Sequence, residues 1–362
     1  MSIFQLFTPL RYRNQRLIHK LYNESFLKRS NRIFSIPLKP VVSTVSAISS
    51  IAHIAQRNII SCSNNMFALI IHGGAGAFSK EEMKILNEAT DCKDLAEVYK
   101  QKMIKITEEG KRMLKNGVAA KDVVIYCVKE MEDDEYFNAG KGALPNEHGS
   151  YSVDASLMDG TTKDYGAVMN YNNLKNPIDC TNELINTKQM LTVNGNNDLF
   201  EDKDRVNNSY YKSEFKMKIE ETLRKHKVKY STVGAVALDI SGNISSGTST
   251  GGIYNKIFGR IGDTGIIGAG TYADSNFAGI SCSGHGELFV RDVVAYDIIA
   301  KMKYKNITLK KAMMEKISEL DKEAGGFIGI DKDGNIQSTY NSKGFYRSWC
   351  DSKTDPVFSI WE

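Results

Sequence analysis

The stretch TVGAVALDISGN, Thr232 to Asn243, decides the fold. It opens as an apolar run, Thr232 to Ile240, short enough for a buried strand, and turns at Ser241-Gly242 into a second strand, Asn243 to Thr248. A polar segment, 172 to 229, with Asn, Lys and Glu prominent, stands before it and reads as a linker with helical stretches near Thr181 to Met190 and Ser213 to His226. The residue at the junction is a threonine. Its hydroxyl is a poor nucleophile unless a base sits beside it, and a free α-amino group on the same residue, with an ordinary pKa near ~8, is such a base. A buried strand behind a long exposed linker is where a self-cleaving chain would release that amine.

Working outward, Phe67 to Ile71 is an apolar strand running into the glycine-rich turn His72 to Gly76. Helices are expected over Asp94 to Lys115 and Ala119 to Glu132, then strands over Ser152 to Met158 and Gly166 to Asn170. Beyond the central hairpin the pattern predicts strands over Gly265 to Ala273 and Ala278 to Ser283, helices over Glu287 to Lys303 and Leu309 to Glu323, and a last hairpin with Asp333-Gly334 at its tip. Strands bracketed by helices, joined through antiparallel hairpins, favour an α+β arrangement of two packed sheets covered by helices over a doubly wound parallel sheet.

The chain has 362 residues with 47 Lys+Arg and 43 Asp+Glu, but the charge is uneven. Nine of the basic residues and one acid (Glu24) lie in 1–65, leaving 38 basic against 42 acidic residues in 66–362. The first 65 residues are Arg- and Ser-rich and hold three of the six prolines. Arg13, Arg16 and Lys20 share one helical face with Ile18, Leu21 and Tyr22 opposite, as in a mitochondrial presequence. Met66 stands directly before the first clear strand, so two readings stand for 1–65: a targeting segment, or upstream sequence that is not made. Under the second the protein is cytoplasmic, and under the first mitochondrial import is open. Residues 66–362 read as one domain, with 41% apolar content along the chain, enough for a sizeable core. Its net acidity gives no basic stripe for nucleic acid, and no run reaches the roughly 18 apolar residues of a membrane helix. The six cysteines show no CxxC and no histidines at metal spacing, which reads as free thiols in a reducing compartment.

Chemistry has to lie among the glycine-rich turns. Gly247-Thr248-Ser249-Thr250-Gly251 imitates the G-x-S-x-G elbow of an esterase, with Asp263 or Asp274 and His285 in triad order. An elbow turns from a parallel strand into a helix, however, and this one follows a hairpin and precedes a run too glycine-rich to start a helix. No phosphate-cradling GxxxxGK[ST] occurs, nor a G-x-G-x-x-G opening a helix after a strand.

From Met66 onward the chain resembles the N-terminal-nucleophile hydrolases of the isoaspartyl peptidase and plant-type L-asparaginase group. The resemblance rests on nine blocks in order: IHGGAG (from Ile71), FNAGKG (Phe137), DASLMDG (Asp154), TVGAVALDISGN (Thr232), TSTGG (Thr248), GRIGD (Gly259), GAGTYAD (Gly268), SGHGE (Ser283) and FYRSW (Phe345). It implies a four-layer αββα sandwich, cut between Ser231 and Thr232 into an α chain, with 172–231 as its linker region, and a β chain, 232–362. It implies an enzyme in which Thr232 attacks the side-chain amide of L-asparagine or the β-aspartyl linkage of an isoaspartyl dipeptide and releases L-aspartate. Thr250 matches a threonine that hydrogen-bonds the nucleophile, Asn138 an asparagine near the scissile bond, and Gly234 a close-packed neighbour of Thr232. Arg260 matches the partner of the substrate carboxylate, Asp263 that of its ammonium, and Ser283 with Gly284 the oxyanion hole. No catalytic metal or organic cofactor is implied. A structural sodium held by backbone carbonyls of about Met131 to Lys141 is, as is a dimer of cleaved αβ units.

Three departures from the family pattern bear on rate: Ser231 where glycine commonly precedes the nucleophile, Ser283 where the hydroxyl is usually a threonine's, and a shorter linker. Glycosylasparaginases carry an aspartate before the nucleophile and typically a secretory signal, neither of which is seen. An uncleaved, inactive scaffold is the alternative from another class.

Overall fold

The computed structural model describes residues 66–76, 78–187, 191–193, 200, 205–226 and 232–361. The targeting reading of 1–65 and the residue before the expected cut, Ser231, lie outside the described residues. The described residues belong to one compact unit, Asn64–Glu362. In chain order the helices of three turns or so and longer, with one short one, are α1 (Lys80–Ala89), α2 (Leu95–Lys115), α3 (Ala120–Glu132), α4 (Pro177–Thr187), α5 (Glu214–His226), α6 (Gly286–Arg291), α7 (Val294–Lys305) and α8 (Leu309–Glu319). The strands are β1 (Ala68–Ala75), β2 (Val153–Asp159), β3 (Tyr165–Tyr171), β4 (Leu191–Val193), β5 (Val233–Leu238), β6 (Ile244–Thr250), β7 (Thr271–Asp274), β8 (Ala278–Gly284), β9 (Gly325–Asp331), β10 (Ile336–Tyr340), β11 (Phe345–Asp351) and β12 (Val357–Ser359).

Two sheets form. The larger has the order β12-β11-β1-β5-β6-β2-β3-β4 and the smaller β10-β9-β8-β7. β9 packs on β1, and β7 and β8 on β6, so the sheets lie face to face. Helices α2, α3 and α4 cover the outer face of the large sheet, and α7 and α8 that of the small one. The side-chain period of two explains why β1 and β5 are apolar throughout: Leu69, Ile71, Val233, Ala235 and Ala237 join the core beneath the helices, whereas Ala68, Ile70, Val236 and Leu238 join the core between the sheets. The expected two-sheet α+β arrangement is present as helix, sheet, sheet, helix.

Local signals account for the helix starts. Ser79 and Glu82 make a reciprocal capping box at α1, and the Asp94 carboxylate caps α2 by accepting the Glu97 amide at 3.1 Å. Leu95, Tyr99, Met103, Ile106, Gly110 and Leu114 form the buried stripe of α2. The start of α3 has no cap of its own; the Asp239 carboxylate, from the β5–β6 turn, accepts the Ala120 amide at 3.0 Å.

Several expectations change. The helix expected over Glu287 to Lys303 is two, α6 and α7, broken at Val293, whose φ of 47° is left-handed and costly for a β-branched residue. Only Thr271–Asp274 of the strand expected from Gly265 is extended, because the glycine-rich 265–270 folds into turns tied to the carbonyls of Asp263 and Ile266. Helix α1 was not foreseen. Much of the expected linker is packed: Cys180, Leu184 and Tyr211 are buried with Tyr171 and Val168 in a core cluster. The polar residues that outnumber this apolar minority along the sequence concealed it, and two of them, Asn176 and Lys216, are themselves buried.

Candidate active site

The β5–β6 hairpin builds the centre of the site. Val233 pairs with Ser249 across the antiparallel ladder, which sets Thr232, at the head of β5, opposite Thr250, at the end of β6. The Thr232 hydroxyl donates to Thr250 Oγ1 at 3.2 Å, and both residues are buried. Thr250 Oγ1 also accepts the Gly252 amide at 3.0 Å. Asn138 closes the same turn from the other side, donating through Nδ2 to the Gly252 carbonyl at 2.6 Å while its own carbonyl accepts the Gly251 amide at 2.9 Å. Asn138 Oδ1 is buried and has no hydrogen-bond partner among the described residues, so an acceptor stands open beside the turn.

Gly234 is the expected close neighbour. A Cβ there would lie 2.1 Å from Ser281 Oγ and 2.5 Å from His72 Nε2, so any side chain would push β5 off the layer beneath it. His72 and Ser281 meet at 2.9 Å, and burial drives the His72 pKa down to about 3, which keeps that imidazole neutral beside Thr232.

The second part of the site is charged. Arg260 lies in the loop after β6 and pairs through Nε with the Glu287 carboxylate at 2.8 Å. Asp263, three residues on, is 4% exposed, and its Oδ2 has no hydrogen-bond partner among the described residues. Burial pushes its pKa up to about 7, against the opposing effect of its own backbone amide and of Arg260. Asp154 sits opposite Thr250 on β2 and beside Lys256, Arg260 and the Gly262 amide; burial raises its pKa too, against these partners. It links the hydroxyl corner to the charged loop.

Ser283 and Gly284 end β8, and the turn that follows lies on the charged loop: a Cβ at Gly286 would be 2.9 Å from Asp263 Oδ1. Ser283 Oγ accepts the Ala75 amide at 2.9 Å, which leaves its one proton for another acceptor.

Ser249, the elbow candidate, faces away from all of this. It lies mid-strand on the helix side of the large sheet, beside the buried Glu132 carboxyl of α3, with Thr248 and Thr250 on the opposite face. Asp274 is engaged by Lys163 and Asn276. The triad geometry is therefore absent.

No cluster of three or more His, Cys, Asp or Glu able to hold a metal occurs among the described residues. In the backbone following α3 the Phe137 carbonyl packs directly on Gly142, where a Cβ would lie 1.8 Å from its oxygen, and that oxygen accepts the buried Lys216 ammonium at 3.4 Å. Two further residues, Asp154 and Glu287, escaped sequence reading; Asp154 was hidden inside an ordinary strand pattern, and Glu287 resembled a solvent-facing helix residue. Among the described residues no helix is long and apolar enough to cross a membrane.

Comparison with known proteins adds to this geometry. The sequence pattern of a family described as asparaginase matches residues 65–218 and 183–360. An isoaspartyl peptidase of Escherichia coli (strain K12) is 35% identical over 315 residues, covering 81% of this chain and 95% of that protein. A plant-type L-asparaginase of Thermococcus kodakarensis is 34% identical over 306 residues, covering 77% and 94%. An isoaspartyl peptidase/L-asparaginase of Xenopus laevis is 31% identical over 303 residues, covering 80% and 93%.

Proposed function

The chain belongs to the asparaginase family whose members include isoaspartyl peptidases and plant-type L-asparaginases, and from that premise we propose that it cuts itself before Thr232 and then hydrolyses L-asparagine and β-aspartyl peptides. The observation that carries the reading is the Thr232 hydroxyl, held by Thr250 at the head of a central strand. The serine elbow does not have its residues in place, because Ser249 faces the helix side of the sheet.

In the first step Thr232 Oγ1 attacks the carbonyl carbon of residue 231, the acyl group passes from nitrogen to oxygen, and water opens the ester. The α chain leaves with a carboxylate and Thr232 gains a free amine. That amine takes the proton of the Thr232 hydroxyl as Oγ1 attacks the side-chain amide carbon of the substrate. Ser283 Oγ and the Gly284 amide receive the oxyanion. The leaving ammonia, or the amine of a peptide, takes the proton back, and water releases L-aspartate from the ester.

The charged loop suits the other end of this substrate. Arg260 offers a guanidinium to the α-carboxylate, and Asp263 Oδ2, without a partner among the described residues, is an acceptor for the α-ammonium. A sodium ion held by backbone carbonyls of about Met131 to Lys141 would brace the turn that carries Asn138, beside the Phe137 carbonyl that the Lys216 ammonium already occupies.

The test is a denaturing gel with N-terminal sequencing, followed by an assay of aspartate release. We expect two chains, one beginning at Thr232, and aspartate from L-asparagine and from a β-aspartyl dipeptide. Thr232→Ala should stay as one chain and release none. A wild type that remains whole after prolonged incubation and yields no aspartate would overturn the reading in favour of an inactive scaffold.

A further inference from the structure

Lys256 has a place in this site that its sequence context does not suggest. It lies in the glycine-rich loop after β6, yet it is 2% exposed. Its ammonium donates to two carbonyls, that of Ser152 at 2.8 Å and that of Gly251 at 2.9 Å. The second contact is the informative one. The Gly251 carbonyl and the Gly252 amide are the two ends of one peptide group. At the far end of that group the Gly252 amide donates to Thr250 Oγ1, and Thr250 Oγ1 accepts the hydroxyl of Thr232. A continuous path of four polar groups therefore runs from the Lys256 ammonium to the nucleophile.

A peptide between two glycines has little of its own to hold its plane. No Cβ on either side restricts its rotation, and Gly252 already sits at φ +79°, a region open to glycine at little cost. If this peptide turned, its amide would leave Thr250, and Thr250 would be free to rotate away from Thr232. Lys256 holds this peptide by its carbonyl, while Asn138 holds the two peptides that flank it, through the Gly251 amide and the Gly252 carbonyl. The Lys256 backbone is fixed in turn, because its carbonyl accepts the Glu147 amide at 2.9 Å and the preceding Asn255 amide donates to the Pro145 carbonyl at 3.0 Å. The side chain also packs under Gly252, where a Cβ would stand 2.9 Å from Nζ. Burial lowers the Lys256 pKa to about 8, with Asp154 favouring the charged ammonium and Arg260 opposing it.

We infer that Lys256 is a positioning residue for the nucleophile, acting through the Gly251–Gly252 peptide and Thr250. A cation at the carbonyl end also polarises the peptide, strengthening the amide donor that grips Thr250. The inference rests on the proposed hydrolytic role of Thr232.

The experiment compares wild type with Lys256→Met, which keeps the side chain's length and apolar stem, and with Lys256→Gln, which keeps an N–H donor without the charge. Aspartate release from a β-aspartyl dipeptide is measured per mole of Thr232 N-terminus, so that unfolded or uncut protein is not counted. Lys256→Met should lower kcat by roughly tenfold to a hundredfold, the scale of a small misplacement of a reacting group, with KM within about threefold of wild type. Lys256→Gln should fall between the two, and it carries the test if the methionine variant does not fold. A kcat within twofold of wild type in the folded variants, or a loss seen only in KM or in the yield of folded protein, would overturn the inference and leave Lys256 as a buried structural cation. A wild type that is cut yet releases no aspartate is a separate result: it overturns the proposed function, and the inference falls with it.

Discussion

The hydroxyl corner and the charged loop solve opposite problems. Around Thr232 the hydroxyls and amides are engaged with one another, Thr232 with Thr250, Thr250 with Gly252 and Gly252 with Asn138, over the Lys256 ammonium, and one acceptor, Asn138 Oδ1, has no partner among the described residues. Around Asp263 a buried carboxylate oxygen has no partner among the described residues, and Arg260 is held by a carboxylate that is itself mostly exposed. On the proposed function, the first region is assembled before substrate arrives and the second is completed by a molecule that brings one cation and one anion. The difference teaches where each kind of damage should appear, with kcat reporting on the corner and KM on the loop.

The largest effect after loss of Thr232 itself should come from breaking the corner. Thr250→Val keeps the shape but removes the acceptor, leaving the Gly252 amide and the Thr232 hydroxyl without their partner. Steady-state kinetics on the cut protein should show kcat reduced by about a hundredfold or more with KM little changed. A variant whose KM rose in its place would dissolve the division between the two regions.

Arg260→Ala attacks the loop. It should leave the chain-cutting step intact on a gel and raise KM for L-asparagine by roughly a hundredfold, the worth of about 3 kcal/mol for a lost charge-assisted pair. Unchanged KM would remove Arg260 from the site.

The pH dependence sharpens the contrast. Asp263 must be ionised to accept an ammonium, and its pKa is raised to about 7 by burial. kcat/KM should therefore fall as pH drops through about 7, by up to about tenfold per unit. Asp263→Asn should lose that limb. Stability has the opposite sign. With a folded pKa above the ordinary 3.8, Asp263 favours the folded chain fully below about 4, and that contribution is gone above about 7. Ligand-free Asp263→Asn should lack this decline in a thermal-melt series, and a series superimposable on wild type would contradict the burial argument.

The smallest effect concerns Glu287, whose carboxylate occupies the Arg260 guanidinium that the proposed function gives to the substrate. Glu287→Gln should lower KM by about twofold to fivefold, in keeping with a pair that is largely exposed on one side. A raised KM would mean that Glu287 positions Arg260 instead of competing for it.

Much of this was legible along the chain because it is local. The apolar run after Thr232, the Ser241-Gly242 turn and the glycines flanking Arg260 and Asp263 are each read within a few residues. The break at Val293 was not legible, since neither glycine nor proline marks it and a β-branched residue adopts the left-handed turn. Nor was the packing of 172–187, where buried Cys180 and Leu184 are outnumbered by polar neighbours. Lys256 and Asp154 escaped for a different reason: a charged residue in a polar loop, or an aspartate at a strand end, has the same sequence signature whether it is solvated or buried.

By itself the sequence determined the alternation that buries both faces of β1 and β5, the hairpin that follows Thr232 and the types of residue available for chemistry, because these follow from spacings of two to four residues. Only the tertiary structure decided which of those residues meet. Thr232 faces Thr250 because the hairpin register pairs Val233 with Ser249, and Ser249 is turned away by the same period of two. Asp263 is left short of a partner, and Lys256 is set under the Gly251–Gly252 peptide, because sheets and loops far apart in the chain exclude water around them. Burial and long-range register are properties of the packed layers, and no short window of sequence contains them.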